Sequence, residues 1–292
     1  MLQTRFSVPE DIPVQRQLWK LAFGDEDAYL DNFYDHYYRP ERVIVLEEDG
    51  AVRAMVAWFD TQFSIPGSQP IRAAYLYALA THPDCRGKGL AKKLLADAGE
   101  LLKGLGIPLL TTVPAEPSLH TFFAGNGFSE CFIHAQYEMT PAAAPFALPG
   151  VELKKVSAEE YDAARRELLA DCARIDYPRE ALEYQEGCCA LSGGGLYVGS
   201  GPFGGKACVC VERTPDNRML AKELLGSHDA QMFVRAELAK LAPNLRWIAR
   251  CPLEFAPPGA DVKKFGMLRW LDDEINRIWD PDATGYLGLA FD

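Results

Sequence analysis

The side chains best suited to chemistry lie in Tyr77 to Leu102, YALATHPDCRGKGLAKKLLADAGELL. The segment reads as strand, loop and helix, with Arg86-Gly87-Lys88-Gly89-Leu90-Ala91 at the junction. Glycines at 87 and 89 let the backbone approach a ligand and adopt conformations closed to other residues. The helix that follows begins with unsatisfied N–H groups and a partial positive charge. Together these form a site for a phosphate group. Arg86, Lys88, Lys92 and Lys93 against Asp84 give a local charge of +3 in a chain whose formal net charge is −11. The loop has neither the Walker arrangement nor G-x-G-x-x-G spacing, which disfavours nucleotide hydrolysis and hydride transfer.

The elements that must position this loop are legible on either side of it. A chain of 292 residues suggests two domains at roughly 150 residues each. The clearest break is TPAAAPFALPG at 140–150, too rich in proline and alanine to pack, so it reads as a linker at 141–150 between domains at 1–140 and 151–292. In the first half LQTRF is a strand. Helices follow at Ile12–Phe23, with Glu10 and Asp11 at its positive end, and at Glu26–Tyr37. Asp49-Gly50 between two β-rich runs marks a hairpin. Then come the strand IRAAYLYALA, a helix over Leu90–Leu105, the strand LLTTV, a short helix over Ser118–Asn126 and the strand CFIHAQYEM. The order βααβββαβαβ predicts an α/β fold with a mixed, α+β type of sheet and helices on its faces. After the linker LKKVSAEEYDAARRELL repeats the pattern of TRFSVPEDIPVQRQLW, so the halves share one fold. KACVCVE, RMLAKELLG, LRWIARC and ATGYLGLAF read as strands of the second half and Gln231–Ala242 as a helix. LSGGGLYVGSGPFGG reads as a flexible hairpin or loop.

Composition narrows the class. With 30 Lys and Arg against 41 Asp and Glu, no global field exists to hold a polyanion, so neither nucleic acid nor an anionic membrane is expected as a partner. No apolar run approaches the ~18 residues of a membrane span. The start MLQTRFSVPED has no signal-peptide pattern, and a cytoplasmic location is expected. The eight cysteines do not form a disulfide framework. Cys188, Cys189, Cys208 and Cys210 lack paired C-x-x-C knuckles and read as small core residues, so no metal is expected.

The strand ending LATHP followed by RGKGLA resembles the R-x-x-G-x-A acetyl-CoA signature of the GNAT acetyltransferases. PSLHTFFAGNGF resembles their second signature, a short helix ending in Gly-Phe. The match covers roughly residues 1–140, and the chain as a whole resembles the tandem-GNAT proteins. The resemblance implies a mixed sheet splayed at its centre, with acetyl-CoA entering the splay. It implies that Leu79, Ala80 and Thr81 pair with the pantetheine arm through their backbone. It also implies that the amides of Gly87, Lys88, Gly89, Leu90, Ala91 and Lys92, beside Arg86, cradle the pyrophosphate, and that Ser118 and Phe123 meet the cofactor.

One departure bears on mechanism. Many members of that family protonate the departing thiolate with the tyrosine of F-Y-x-x-x-G-F, and this chain has Phe123 at that position. The proton can come instead from His120, one helical turn earlier, from Tyr77 (or Tyr75) on the central strand, or from solvent. For the base the candidates are Asp292, with its side chain and terminal carboxylates, and Glu116. The resemblance links Asp292 to the C-terminal carboxylates that some tandem members use. The second half has no R-x-x-G-x-G loop, and SHDAQMF follows its corresponding strand. It reads as a degenerate GNAT-like copy that binds no cofactor and walls the acceptor cleft, while KKFGMLRWLDD is expected to pack cores. Trp247, Trp270, Trp279 and Tyr286 suit a cleft for a cationic amine. The expected activity is direct acetyl transfer from acetyl-CoA to a primary amine of a small molecule or peptide. A non-catalytic acyl-CoA-binding protein is the alternative that Phe123 suggests. A tandem-GNAT transferase drawing its donor from tRNA is disfavoured by the acidic charge and the intact loop. The sequence specifies neither the acceptor nor the oligomeric state.

Overall fold

The computed structural model describes residues 1–139, 150–201 and 204–291. The linker at 141–150, Gly150 apart, and Asp292 therefore lie outside the described residues. The first half begins with β1 (Leu2–Phe6), α1 (Ile12–Phe23) and α2 (Asp27–His36). Asp11 ends the turn before α1, accepting Val8 N–H at 2.9 Å and the Arg5 guanidinium at 2.7 Å. That guanidinium holds the Asp11 carboxyl below the usual carboxylate range. β2 (Val43–Glu48) and β3 (Ala51–Ser64) form the expected hairpin. Asp49 and Gly50 at its tip have φ of 52° and 80°, the paired left-handed conformation whose twist matches the flanking strands. β4 (Ile71–Thr81), α3 (Leu90–Gly104), β5 (Leu109–Thr112), α4 (Pro117–Ala124) and β6 (Ser129–Met139) follow. The order of elements is the one expected.

Side chains of β2 to β4 alternate between two faces. Ile44, Leu46, Ala54, Val56, Trp58, Ala74 and Leu76 pack with Leu90, Leu94, Leu95, Ala98 and Leu102 of α3. Phe59, Tyr75 and Tyr77 turn the other way, and Trp19 of α1 and Phe33 of α2 join their rings.

The second half contains β7 (Glu152–Lys155), α5 (Ala158–Leu168), β8 (Arg174–Asp176), α6 (Arg179–Leu191), β9 (Gly195–Ser200), β10 (Lys206–Arg213) and β11 (Met219–Leu225). It continues with α7 (His228–Leu241), β12 (Trp247–Cys251), β13 (Asp261–Trp270) and α8 (Asp273–Asn276). Ser157 and Glu160 form a reciprocal cap at the start of α5. The Gly-rich stretch contains β9, which pairs antiparallel with β10 as the expected hairpin; it is an ordered strand, with Gly199 against α7, where a Cβ would come within 2.6 Å of Val234. Two expectations need correction. Residues 284–291 are not a strand. They make isolated bridges at Gly285 and Tyr286, and Gly288 and Phe291 take φ of 74° and 55°, which break a pleat. Trp247 and Tyr286 are core residues, 1% and 4% exposed, and not cleft aromatics.

The compact units also cut the chain differently from 1–140 and 151–292. Unit 1 is Met1–Phe63, Gln69–Cys131 and Gly266–Ala283, and unit 2 is Ser64–Ser68, Phe132–Phe265 and Thr284–Asp292. The reason is hydrogen bonding. Met267–Trp270 of β13 pair with β5, giving unit 1 the order β1-β2-β3-β4-β5-β13, and Ala135–Met139 of β6 pair with β12, giving unit 2 the order β6-β12-β11-β10-β9-β7. Each half thus lends its last strand to the other's sheet.

Candidate active site

In unit 1 the centre of the sheet is opened by its own backbone. Trp58 opposes Leu76 and Ala57 opposes Tyr77, but Met55 opposes Ala80, so Ala78 and Leu79 together face Val56. This is a β-bulge, which bends a strand and re-aims its side chains. Ala78 carries the irregularity with φ of 49°, a conformation uncommon outside glycine. Leu79 consequently packs with the α3 face, where unbroken alternation would have put it opposite. Parallel pairing of β4 with β5 ends at Leu76 and Thr112. Beyond it Ala80 and Thr81 pair with β3 along one edge, and no further pair with β5 follows among the described residues. No strand pairs with the other edge of this stretch among the described residues, and there the Thr81 carbonyl accepts from Arg86 Nε at 3.4 Å.

That edge runs through a single turn, Pro83–Cys85, into the glycine loop. Gly87 and Gly89 have φ of 76° and 79°, and a Cβ on either would meet no atom within 4 Å. Glycine is needed there for conformation, and the space outside is open. Gly89 caps α3 without a side-chain acceptor, so the first amides of the helix lack protein partners. Leu90 is buried in the α3 core and contributes its amide alone. Arg86, Lys88 and Lys92 are exposed, and among the described residues none of them forms an ion pair. Lys93 is different: it bonds Asp97 at 2.8 Å, and Asp97 also accepts from Thr4. The local charge counted from sequence therefore overstates the loop by one cation.

The remaining candidates are dispersed. Ser118 is exposed and donates to Glu116, which is exposed at the start of α4. His120 Nδ1 lies 2.7 Å from Oε1 of Glu130 at the start of β6. Phe123 is 5% exposed and packs on Phe128 at 5.3 Å, so it points into the core. Tyr77 is half-buried beside the bulge, its ring 5.4 Å from Trp19 and from Phe59. Sequence reasoning missed Glu130, ten residues from His120 and joined to it only by the turn from α4 to β6. It also missed the bulge at Ala78, for which no glycine or proline gives a sign.

Unit 2 repeats the bulge and the end of parallel pairing, but fills the opening with a side chain. Val211 opposes Ala221 and Cys210 opposes Glu223, leaving Lys222 extra, and the parallel pairing of β11 with β12 ends at Ala221 and Ala249. Past this point Gln231 of α7, fully buried, donates to the carbonyls of Gly226 and Phe255 at 3.1 and 3.0 Å and accepts from Tyr137 at 2.8 Å. Its side chain thus engages backbone carbonyls just after the ends of β11 and of β12. Glu223, also fully buried, accepts Arg165 Nε at 2.8 Å and the Tyr161 hydroxyl at 2.7 Å. Burial works against the Arg165 charge, but Glu223 outweighs it and keeps the guanidinium protonated. Arg165 also donates to the carbonyls of Ile175 and Leu287, which fastens residues 284–291. Cys189 and Cys210 approach with sulfurs 3.5 Å apart, and all eight cysteines are buried and outside any disulfide. Among the described residues no group of three or more His, Cys, Asp or Glu could hold a metal ion, and no helix is long and apolar enough to cross a membrane.

Residues 3–124 match the family model described as an acetyltransferase (GNAT) domain. By this match residues 3–124 are a GNAT domain. Over its whole length the fold is similar to that of a GCN5-related N-acetyltransferase from Anabaena variabilis, with TM-score 0.72, 15% identity, and 93% of this chain and 73% of that one covered. It is similar to Eis1 from Mycobacterium abscessus, with TM-score 0.68, 15% identity, and 94% and 75% covered. It is also similar to a tandem GNAT protein from the clavulanic acid biosynthesis pathway, with TM-score 0.56, 16% identity, and 93% and 99% covered. No curated protein matches the chain in sequence.

Proposed function

We propose that the chain is an acetyl-CoA-dependent N-acetyltransferase that moves an acetyl group directly to a primary amine of a small molecule or peptide. The observation that carries this reading is the open edge of β4 leading into a glycine loop that heads the 15-residue α3. The backbone of Leu79, Ala80 and Thr81 suits the amides of a pantetheine arm, as an added strand would. The amides of Gly87, Lys88, Gly89, Leu90, Ala91 and Lys92 suit a pyrophosphate, with Arg86, Lys88 and Lys92 supplying charge. Ser118 suits a hydrogen bond from the helix opposite. One such site per chain is expected, because Gln231 occupies the equivalent opening in unit 2.

In the transfer the amine lone pair attacks the thioester carbonyl, the carbon–sulfur bond breaks, and one proton must pass from nitrogen to sulfur. His120 leads as its carrier, with Nε2 taking the proton from nitrogen and returning it to the thiolate. Tyr77, held among aromatic rings, and Glu116, exposed and engaged by Ser118, rank below it. Asp292 is kept as a base from the sequence alone. Eight thiols free of disulfides suit a reducing compartment such as the cytoplasm. One observation favours a second reading, an acyl-CoA-binding protein without turnover: Phe123 lies in the core where the family's acid would stand. The discriminating experiment is release of free thiol from acetyl-CoA over a panel of primary amines. Amine-dependent release establishes the enzyme, and binding with no release on any amine establishes the sensor.

A further inference from the structure

The pair formed by His120 and Glu130 has a direction built into it. Nδ1 of His120 faces Oε1 of Glu130 at 2.7 Å, and the two side chains are 23% and 30% exposed. The second carboxylate oxygen, Oε2, is buried with no hydrogen-bond partner. A carboxylate accepts hydrogen bonds and does not donate them, so the contact at Nδ1 requires the proton to sit there. In the neutral imidazole Nε2 must then carry the lone pair, and among the described residues it makes no hydrogen bond. The backbone reinforces this geometry. Leu119, Phe122 and Phe123 of α4 pack into the α3 core, which fixes the helix's rotation and turns His120 away from the core towards β6. Two rigid elements therefore hold a base whose accepting nitrogen is chosen by its partner, the arrangement by which a carboxylate sets the tautomer of a catalytic imidazole.

We infer that Glu130 is a positioning residue, holding His120 in the Nδ1–H tautomer so that Nε2 can take the proton of the attacking amine. The inference rests on the proposed function, in which His120 carries the proton from nitrogen to sulfur. The carboxylate neither gains nor loses a proton in this cycle. It stabilises the imidazolium between the two transfers, and His120 returns to its starting state when the thiol leaves.

Two readouts on the full chain test it. Two-bond proton–nitrogen correlation spectra, with the His120 signals assigned by their loss in His120→Gln, report the tautomer directly. The expected result is an unprotonated Nε2 in the neutral ring, with the Nε2–H form appearing in Glu130→Gln. In thiol-release kinetics Glu130→Gln is expected to lower kcat roughly 10- to 100-fold, with KM for acetyl-CoA held within about twofold. Glu130→Asp restores part of the loss, and Glu130→Gln adds nothing in a His120→Gln background. A merely structural carboxylate would lower both variants' stability and leave the tautomer and the rescue unmoved. An Nε2–H tautomer in the wild type overturns the inference, as does full kcat in Glu130→Gln beside a loss in His120→Gln. If the wild type releases no thiol with any amine, the proposed function falls, and the spectrum still decides the orientation of the pair. If Glu130→Gln does not fold, the wild-type spectrum and Glu130→Asp carry the test.

Discussion

Three cations of the glycine loop that form no ion pair and the one ion-paired cation beside them make a matched set. Arg86, Lys88 and Lys92 are exposed without a carboxylate partner, while Lys93, one residue further, is held by Asp97 at 2.8 Å. A hydrogen bond between charged groups contributes about 1.5–3 kcal/mol. The lower end applies here, because solvent reaches the loop and salt screens it over about 8 Å. About 1.4 kcal/mol is a tenfold change in affinity, so replacing Arg86, Lys88 or Lys92 by alanine should each weaken acetyl-CoA binding roughly tenfold. The triple variant should lose on the order of 100- to 1000-fold, short of full additivity because neighbours share the phosphates. Lys93→Ala removes only an i,i+4 pair, at about 0.3–0.5 kcal/mol of stability, and should leave the affinity within about twofold. Calorimetric titration at two salt concentrations measures both effects. The wild type should weaken with salt and the triple variant should respond less. A Lys93→Ala loss equal to that of Lys92→Ala, or unchanged binding in the triple variant, would show that these three cations do not hold the phosphates.

Arg165→Ala leaves Glu223 buried and unpaired and should destabilise the chain by about 3–5 kcal/mol in chemical denaturation; a change below about 1 kcal/mol would show the pair to be dispensable. Burial pushes the thiols of Cys251 and Cys172 up to about 12 and about 11. The fold favours their neutral forms, so this stability is complete below the ordinary thiol range near about 8.5 and is lost as pH rises through the raised values. The melting temperature should hold to about pH 8.5 and fall above it, and a profile flat to about pH 11 would contradict the assignment. Titration should give one acetyl-CoA per chain, and two would mean that Gln231 yields its place in unit 2.

Much of the framework is readable from local chemistry. Asp49-Gly50 marks its turn because two consecutive residues there need positive φ, and the strand-loop-helix around Gly87 and Gly89 is visible because glycine and clustered cations are local signals. What escapes the sequence is set by tertiary contact. Ala78 adopts φ of 49° because β3 and the α3 core hold both sides of the bulge, and nothing in Tyr-Ala-Leu-Ala announces it. RMLAKELLG reads as a strand, but nothing in it shows that Lys222 and Glu223 are both fully buried, their partners lying in β10 and α5. The exchange of β6 and β13 is equally silent, since a strand's pattern specifies which face it buries and not which neighbour it pairs with. Glu130 belongs to the same class. The candidate cofactor loop was thus legible, and the geometry that opens the sheet before it was not.

The proposed acyl-CoA site is the opened edge of β4 and the loop after it. The most direct measurement is calorimetric titration of acetyl-CoA into the wild-type chain and into the double variant Arg86→Glu, Gly89→Trp. Micromolar binding to the wild type and none to the variant is expected, with both chains folded by circular dichroism. A wild type that does not bind, or a folded variant that binds as well as the wild type, would contradict it.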